Sequence, residues 1–117
     1  NFKGTREEDI RSVGGCIAYN RNSFFSAGGE NEKFISYGEE DIERNHRFRM
    51  LGYDVQRVDG VIYHLDHHIS YNSSTEHKDY DGNHKEWLRV KAMSRDALKS
   101  YIRSWSWAKN EVLGLNS

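Results

Sequence analysis

Tyr37-Gly38-Glu39-Glu40-Asp41-Ile42-Glu43-Arg44-Asn45-His46-Arg47-Phe48-Arg49-Met50-Leu51-Gly52 places three consecutive acids after a glycine, then a basic, half-apolar run closed by a second glycine. The charge order predicts a helix. Acids at its start and arginines toward its end complement the helix dipole, and Gly52 suits the left-handed stop. Backbone N–H groups at a helix start favour the ionised carboxylate, which is useful for a group that takes a proton near neutral pH. Glu40 and Asp41 are neighbours, so at ~3.6 residues per turn their side chains diverge by about 100°. That geometry does not suit a shared proton. It predicts two separate tasks, one carboxylate holding a ligand and the other acting as base. The plain alternative is an acidic first turn that only complements the dipole.

Composition limits what surrounds this run. At 117 residues the chain is read as a single domain, 1–117, with a modest core. A mean hydropathy of −0.92 is polar for so small a domain, which predicts surface turned toward a ligand or another piece of chain. Seventeen Lys and Arg against eighteen Asp and Glu leave a net charge of −1, which argues against a nucleic-acid partner. No apolar run reaches the ~20 residues of a membrane helix, and no signal-peptide pattern opens the sequence. Cytoplasmic localisation is the expectation, with membrane association left open. The single cysteine, Cys16, excludes an internal disulfide and is expected to be a small buried hydrophobe.

Outward from the acidic run, Val13-Gly14-Gly15-Cys16-Ile17-Ala18-Tyr19 reads as a strand entered through two glycines, which signal either close approach of a ligand or a bend. Asn20 or Asn22 is expected to cap a short helix that Gly28-Gly29 stops. Tyr53–Val58 alternates, Asp59-Gly60 is a hairpin-turn signal, and Val61–Leu65 reads as the return strand. Residues 69–83 read as loop. A helical tail follows over 84–108, in two pieces at about 84–93 and 95–108, with Ser94 as the cap of the second. Its Leu98, Ile102 and Trp105 recur at helical spacing and are assigned to the core.

His64, His67 and His68 fall within five positions. Imidazoles so spaced, with Asp66 among them, suit an open divalent-metal site shared with a substrate phosphate; hydrogen-bonded or exposed histidines without metal are the alternative. Two motif matches fail. Asp79-Tyr80-Asp81 is literally D-x-D, but it precedes Gly82 and reads as a turn. His64-Leu65-Asp66-His67 resembles half of a zinc-hydrolase motif whose first histidine would fall on Ile62.

Gly14-Gly15-Cys16-Ile17-Ala18-Tyr19, Gly28-Gly29-Glu30-Asn31-Glu32, Tyr37-Gly38-Glu39-Glu40-Asp41, Arg47, Gly52-Tyr53-Asp54-Val55 and Tyr63-His64 occur in an order and spacing that resemble the C-terminal half of GT-A glycosyltransferases. The β-1,4-galactosyltransferases and the family 2, chondroitin polymerase-like enzymes are the nearest in pattern. No single piece is specific; the ordered set is. The resemblance covers about residues 13–68. It implies an α/β fold (α+β as a fragment): the C-terminal part of a GT-A Rossmann-like domain, with a short mixed sheet, a β-hairpin and packed helices.

Against the family's W-G-G-E-D, Tyr37 stands for the tryptophan and Glu39 for the second glycine, while Gly38, Glu40 and Asp41 match. By that likeness Asp41 is the base that deprotonates the acceptor hydroxyl, and Glu40 binds sugar hydroxyls. Tyr37 and Gly38 contact substrate, and Gly14 and Gly15 let backbone approach the sugar. His64, with His67 as the second candidate, completes a site for Mn2+ (or Mg2+). The implied activity is inverting transfer of a hexose from a nucleotide-sugar donor, UDP-galactose or UDP-N-acetylhexosamine, to a carbohydrate acceptor. Neither a βαβ unit nor a credible D-x-D occurs in these residues. An N-terminal nucleotide-binding half of the same protein is therefore an expected partner, and the chain alone is expected to be inactive. Two alternatives remain open at this point. One is a non-catalytic carbohydrate-binding or interaction module on the same scaffold. The other is a metal-binding domain built on the histidines.

Overall fold

The computed structural model describes residues 5–7, 13–65 and 67–108, with 5–7 and His64 described through their backbone. The order of elements is β1 (Thr5–Glu7), α1 (Arg21–Ser26), α2 (Glu40–Met50), β2 (Tyr63–Leu65), α3 (Tyr80–Lys91) and α4 (Arg95–Arg103).

The caps follow the sequence closely. Asn20 accepts from the Ser23 amide at 3.0 Å and starts α1. Gly28 and Gly29, at φ +96° and +70°, end it, with their amides turned back to the Phe25 and Phe24 carbonyls. Gly52 ends α2 in the same way at φ +90°, and the Tyr53 amide bonds back to Phe48. Ser94 caps α4 through the Ala97 amide.

The α/β expectation is overturned. The described residues form a helical array, and strand pairing among them is confined to one three-residue antiparallel ribbon, with Arg6 opposite His64. There is no mixed sheet among the described residues, and the hairpin does not form. Gly60 does turn, at φ +131°, but residues 53–58 carry no ladder and Val58 is 93% exposed. An alternating strand needs a neighbour to cover one face. Here Tyr53 and Val55 pack on the helical core instead. The expected strand at 13–19 is likewise a series of bends and extended residues, and Cys16 is exposed rather than buried. Asp79-Tyr80-Asp81 is the start of α3 and not a free turn.

The core is built from Ala27, Phe48, Leu51, Val90, Leu98, Ile102 and Trp105, so the helical stripe of the tail is buried as expected. An ion pair is buried within it. Arg47 is fully buried, its Nε bonds Glu43 at 2.6 Å, and one terminal nitrogen donates to the Ala27 carbonyl at 2.5 Å. Its guanidinium also lies over the Phe48 and Trp105 rings, at 5.1 and 5.3 Å. Burial holds the Glu43 carboxyl above its ordinary range, against the opposing pull of Arg47. Helices α2 and α3 meet through His46 edge-on to Trp87 and through a Glu39–His84 contact of 2.8 Å.

Candidate functional site

The first turn of α2 presents the acids, and three parts of the chain hold it in place. The loop before it is clamped from α3. The side chain of Asn83, which is almost wholly buried, donates to the Ile35 and Tyr37 carbonyls at 2.8 and 2.9 Å and accepts from the Ile35 amide at 3.0 Å. His77, also buried, accepts from the Asp79 amide at Nδ1, so its Nε2 carries the proton it donates to the Tyr37 carbonyl. From the other side, the Ser36 hydroxyl donates to the Asn72 carbonyl at 2.6 Å, and Ser36 itself sits at φ 62°. The clamp explains Gly38. A Cβ there would come within 2.7–2.8 Å of the Asn83 side chain.

Gly14 meets Asp41. A Cβ on Gly14 would fall on the Asp41 carboxylate, so glycine here is a matter of space. Two residues 27 positions apart, both singled out from the sequence, are thus brought together. The opposite oxygen of Asp41 is paired with Arg44, which is fixed in turn by two bonds to Glu30, at 2.8 and 3.0 Å, and lies over the Tyr19 ring at 5.8 Å. One carboxylate oxygen is therefore anchored while the carboxylate as a whole stays about one-third exposed. A groove of about 460 Å³ opens beside it, lined by Val13, Ile42, Asn45, His46, Arg49 and Met50.

Glu40 occupies a different setting. One of its carboxylate oxygens is buried without a hydrogen-bond partner. Burial raises its pKa above the ordinary carboxylate value, and the neighbouring Asp41 charge adds to this. The helix-start amides do lower it, as the sequence suggests, yet desolvation outweighs them. The two adjacent carboxyls thus differ in environment, as two different tasks require. Tyr37 is 45% exposed and stacks on Tyr80 at 6.4 Å, which leaves ring surface open to a ligand. Gly15 is exposed next to Gly14.

Of the three clustered histidines, the side chains of His67 and His68 are described, and both are exposed. His67 is exposed, and its Nδ1 donates to the His68 carbonyl at 3.1 Å. The His64 side chain and Asp66 lie outside the described residues. Among the described residues no three His, Cys, Asp or Glu side chains converge to hold a metal, so they do not make such a site on their own. No described helix is long and apolar enough to cross a membrane.

Several supports of the site went unread in the sequence. Arg44 was legible in principle, three residues after Asp41 on one helix face. Asn83 and His77 were not, since nothing local couples them to residues 35–41, and Glu30 was legible only as part of the Gly28–Glu32 pattern, without its link to Arg44.

A clamped loop opening a helix, with one carboxylate anchored and exposed and its neighbour desolvated, is the kind of site that activates a hydroxyl. Residues 4–70 match the family described as the N-terminal domain of galactosyltransferase. That is more than half of the chain, and the chain belongs to this galactosyltransferase family. The comparisons with curated proteins and with solved structures each returned no match.

Proposed function

We propose that the chain is the acceptor-side part of a hexosyltransferase, with Asp41 as the base of an inverting displacement. The observation that carries this reading is the packing of Asp41. Its carboxylate lies against Gly14, where a side chain would displace it, and is held from behind by Arg44 without being buried. The family's description speaks of an N-terminal domain, whereas the acceptor-side assignment rests on the motif order from Gly14 to His64.

In the proposed step, Asp41 takes the proton of an acceptor hydroxyl as the hydroxyl oxygen bonds to the anomeric carbon of the donor. The bond from that carbon to the diphosphate oxygen breaks on the opposite face, and the pair leaves with the nucleotide diphosphate. One base and no covalent intermediate suffice, and configuration inverts. Tyr37 offers its face to a sugar ring, and Glu40, with its raised pKa, is suited to exchange hydrogen bonds with sugar hydroxyls. The donor is proposed to be UDP-galactose or UDP-N-acetylhexosamine, bound chiefly by a nucleotide-binding half. Mn2+ or Mg2+, proposed with His64 and His67 as ligands, would neutralise charge on the leaving diphosphate; its remaining ligands have to come from that other half and the donor.

The test is sugar transfer in an enzyme containing both halves. Asp41→Asn should reduce turnover by about 10²–10⁴-fold, the usual contribution of a positioned acid–base group, with donor KM little changed. Turnover that survives the substitution would remove Asp41 from the chemistry. Retained acceptor binding without turnover in the unsubstituted enzyme would favour the non-catalytic carbohydrate-binding module.

A further inference from the structure

Ser36 is, among the described residues, the one non-glycine residue with a left-handed backbone, at φ 62°. L side chains rarely adopt that conformation, and where it persists the surroundings impose it. Here they do so from α3 and the turn before it. We propose that Asn83 and His77 are positioning residues of the transfer reaction, holding Ser36 left-handed so that Tyr37 and the first turn of α2 are presented to the acceptor. This role rests on the transferase reading and extends its machinery past residue 70, where the family match ends.

The contacts bracket the strained residue. The Asn83 side chain accepts from the Ile35 amide at 3.0 Å and donates to the Ile35 carbonyl at 2.8 Å, just before Ser36. Its same nitrogen donates to the Tyr37 carbonyl at 2.9 Å, just after it. In an extended chain, carbonyls two residues apart lie about 7 Å from each other, more than one nitrogen spans with two such bonds. The left-handed turn at Ser36 brings them within its reach. His77 donates from Nε2 to the Tyr37 carbonyl as well, with its Nδ1 committed to the Asp79 amide at 3.1 Å. Asn83 and His77 are 1% and 4% exposed, so water does not readily replace these bonds.

The hold runs on to the site without a gap. Gly38 packs against the Asn83 side chain, and the Glu39 carboxylate meets His84, the next residue of α3, at 2.8 Å. Glu40 and Asp41 follow directly. The Tyr37 ring is set by the same elements: it stacks on Tyr80 with the planes 16° apart and stands edge-on to His77. Residues 35–39 are thus laid along α3, and loss of its two donors moves the ring and the carboxylates together. A displacement of about 1 Å at a reacting group is enough to cost about 10²-fold in rate. A tie that served stability alone could bond the loop anywhere, whereas this one brackets the residue that sets the direction of Tyr37.

The test is sugar transfer in an enzyme containing both halves, with kcat and the donor and acceptor KM measured separately and hydrogen exchange followed at the Ile35 amide. Asn83→Ala should lower kcat about 10²-fold with donor KM within about twofold, and should speed exchange at Ile35 at least about tenfold. Ser36→Gly is the discriminating partner, because glycine takes φ 62° at no steric cost. Added to Asn83→Ala, it should restore turnover at least about fivefold, whereas two independent structural losses would add. His77→Gln keeps an N–H for the Tyr37 carbonyl and should turn over at least about five times faster than His77→Leu. These two variants carry the test if Asn83→Ala does not fold. A folded Asn83→Ala or His77→Leu enzyme with undiminished kcat, no recovery in the double variant, or unchanged exchange at Ile35 would each overturn the proposal. Turnover that survives Asp41→Asn but falls with Asn83→Ala would remove the base and keep the positioning of residues 35–39. The reverse pattern would keep the base and overturn the positioning.

Discussion

Helix α2 carries two interleaved carboxylate–arginine pairs, Asp41–Arg44 and Glu43–Arg47, and they have opposite fates. The second is sealed in the core, with side chains 0% and 1% exposed. The first stands at the rim, its carboxylate 37% exposed. Composition and spacing barely distinguish them. Burial makes the inner pair a structural element, whose value lies in leaving no charge alone in the core. The outer pair keeps one oxygen anchored and the carboxylate open, as a base that receives a substrate proton must be.

Breaking the inner pair should have the largest effect on stability. Arg47→Met leaves Glu43 buried without its cation and should cost about 3–5 kcal/mol in urea unfolding. A cost under about 1 kcal/mol would mean the core relaxes around Glu43, and the contrast between the pairs would dissolve. Asn83→Ala comes next. It strands the Ile35 carbonyl and amide and leaves the Tyr37 carbonyl to His77 alone, for which about 2–4 kcal/mol and faster hydrogen exchange at Ile35 are expected. Arg44→Met, in the outer pair, should cost about 1 kcal/mol or less, because Glu30 and Asp41 are both partly in water. Its signature should be kinetic. Losing the residue that anchors one Asp41 oxygen should lower the turnover of a complete enzyme with donor KM little changed, whereas a purely structural residue would leave turnover in place.

The smallest effect concerns pH. Burial, with a contribution from Lys91, lowers the His46 pKa below 6.5. The unfolded chain then takes up that proton more readily than the folded one, so the stability His46 contributes at neutral pH is lost as pH falls below about 6.5. His46→Gln should flatten this slope between pH 7 and 5 in urea melts. An unchanged slope would assign the acid sensitivity to another group.

Local chemistry made much of the molecule readable. Helix α2 and its Gly52 stop, the Asn20 and Ser94 caps, the Gly28-Gly29 stop and the Leu98–Ile102–Trp105 stripe all depend on contacts within a few residues, and all are present. The strand assignments at 13–19 and 53–58 failed because an apolar or alternating run says only which face would be covered. It does not supply a neighbouring strand, and among the described residues none is paired with them.

The sequence by itself therefore determined α2 with its Gly52 stop, the Asn20 and Ser94 caps, the acidic first turn of α2 and the family pattern that runs through it, while it placed the start of α3 about four residues late and the end of α4 about five residues late. The tertiary structure decided which carboxylate is anchored at the rim and which is buried, what a side chain at position 14 or 38 would displace, and that an asparagine of α3 holds the loop before the site. The reason is one of range. Caps, dipoles and helical stripes act over three or four residues, whereas desolvation and close approach are set by whatever the fold brings alongside.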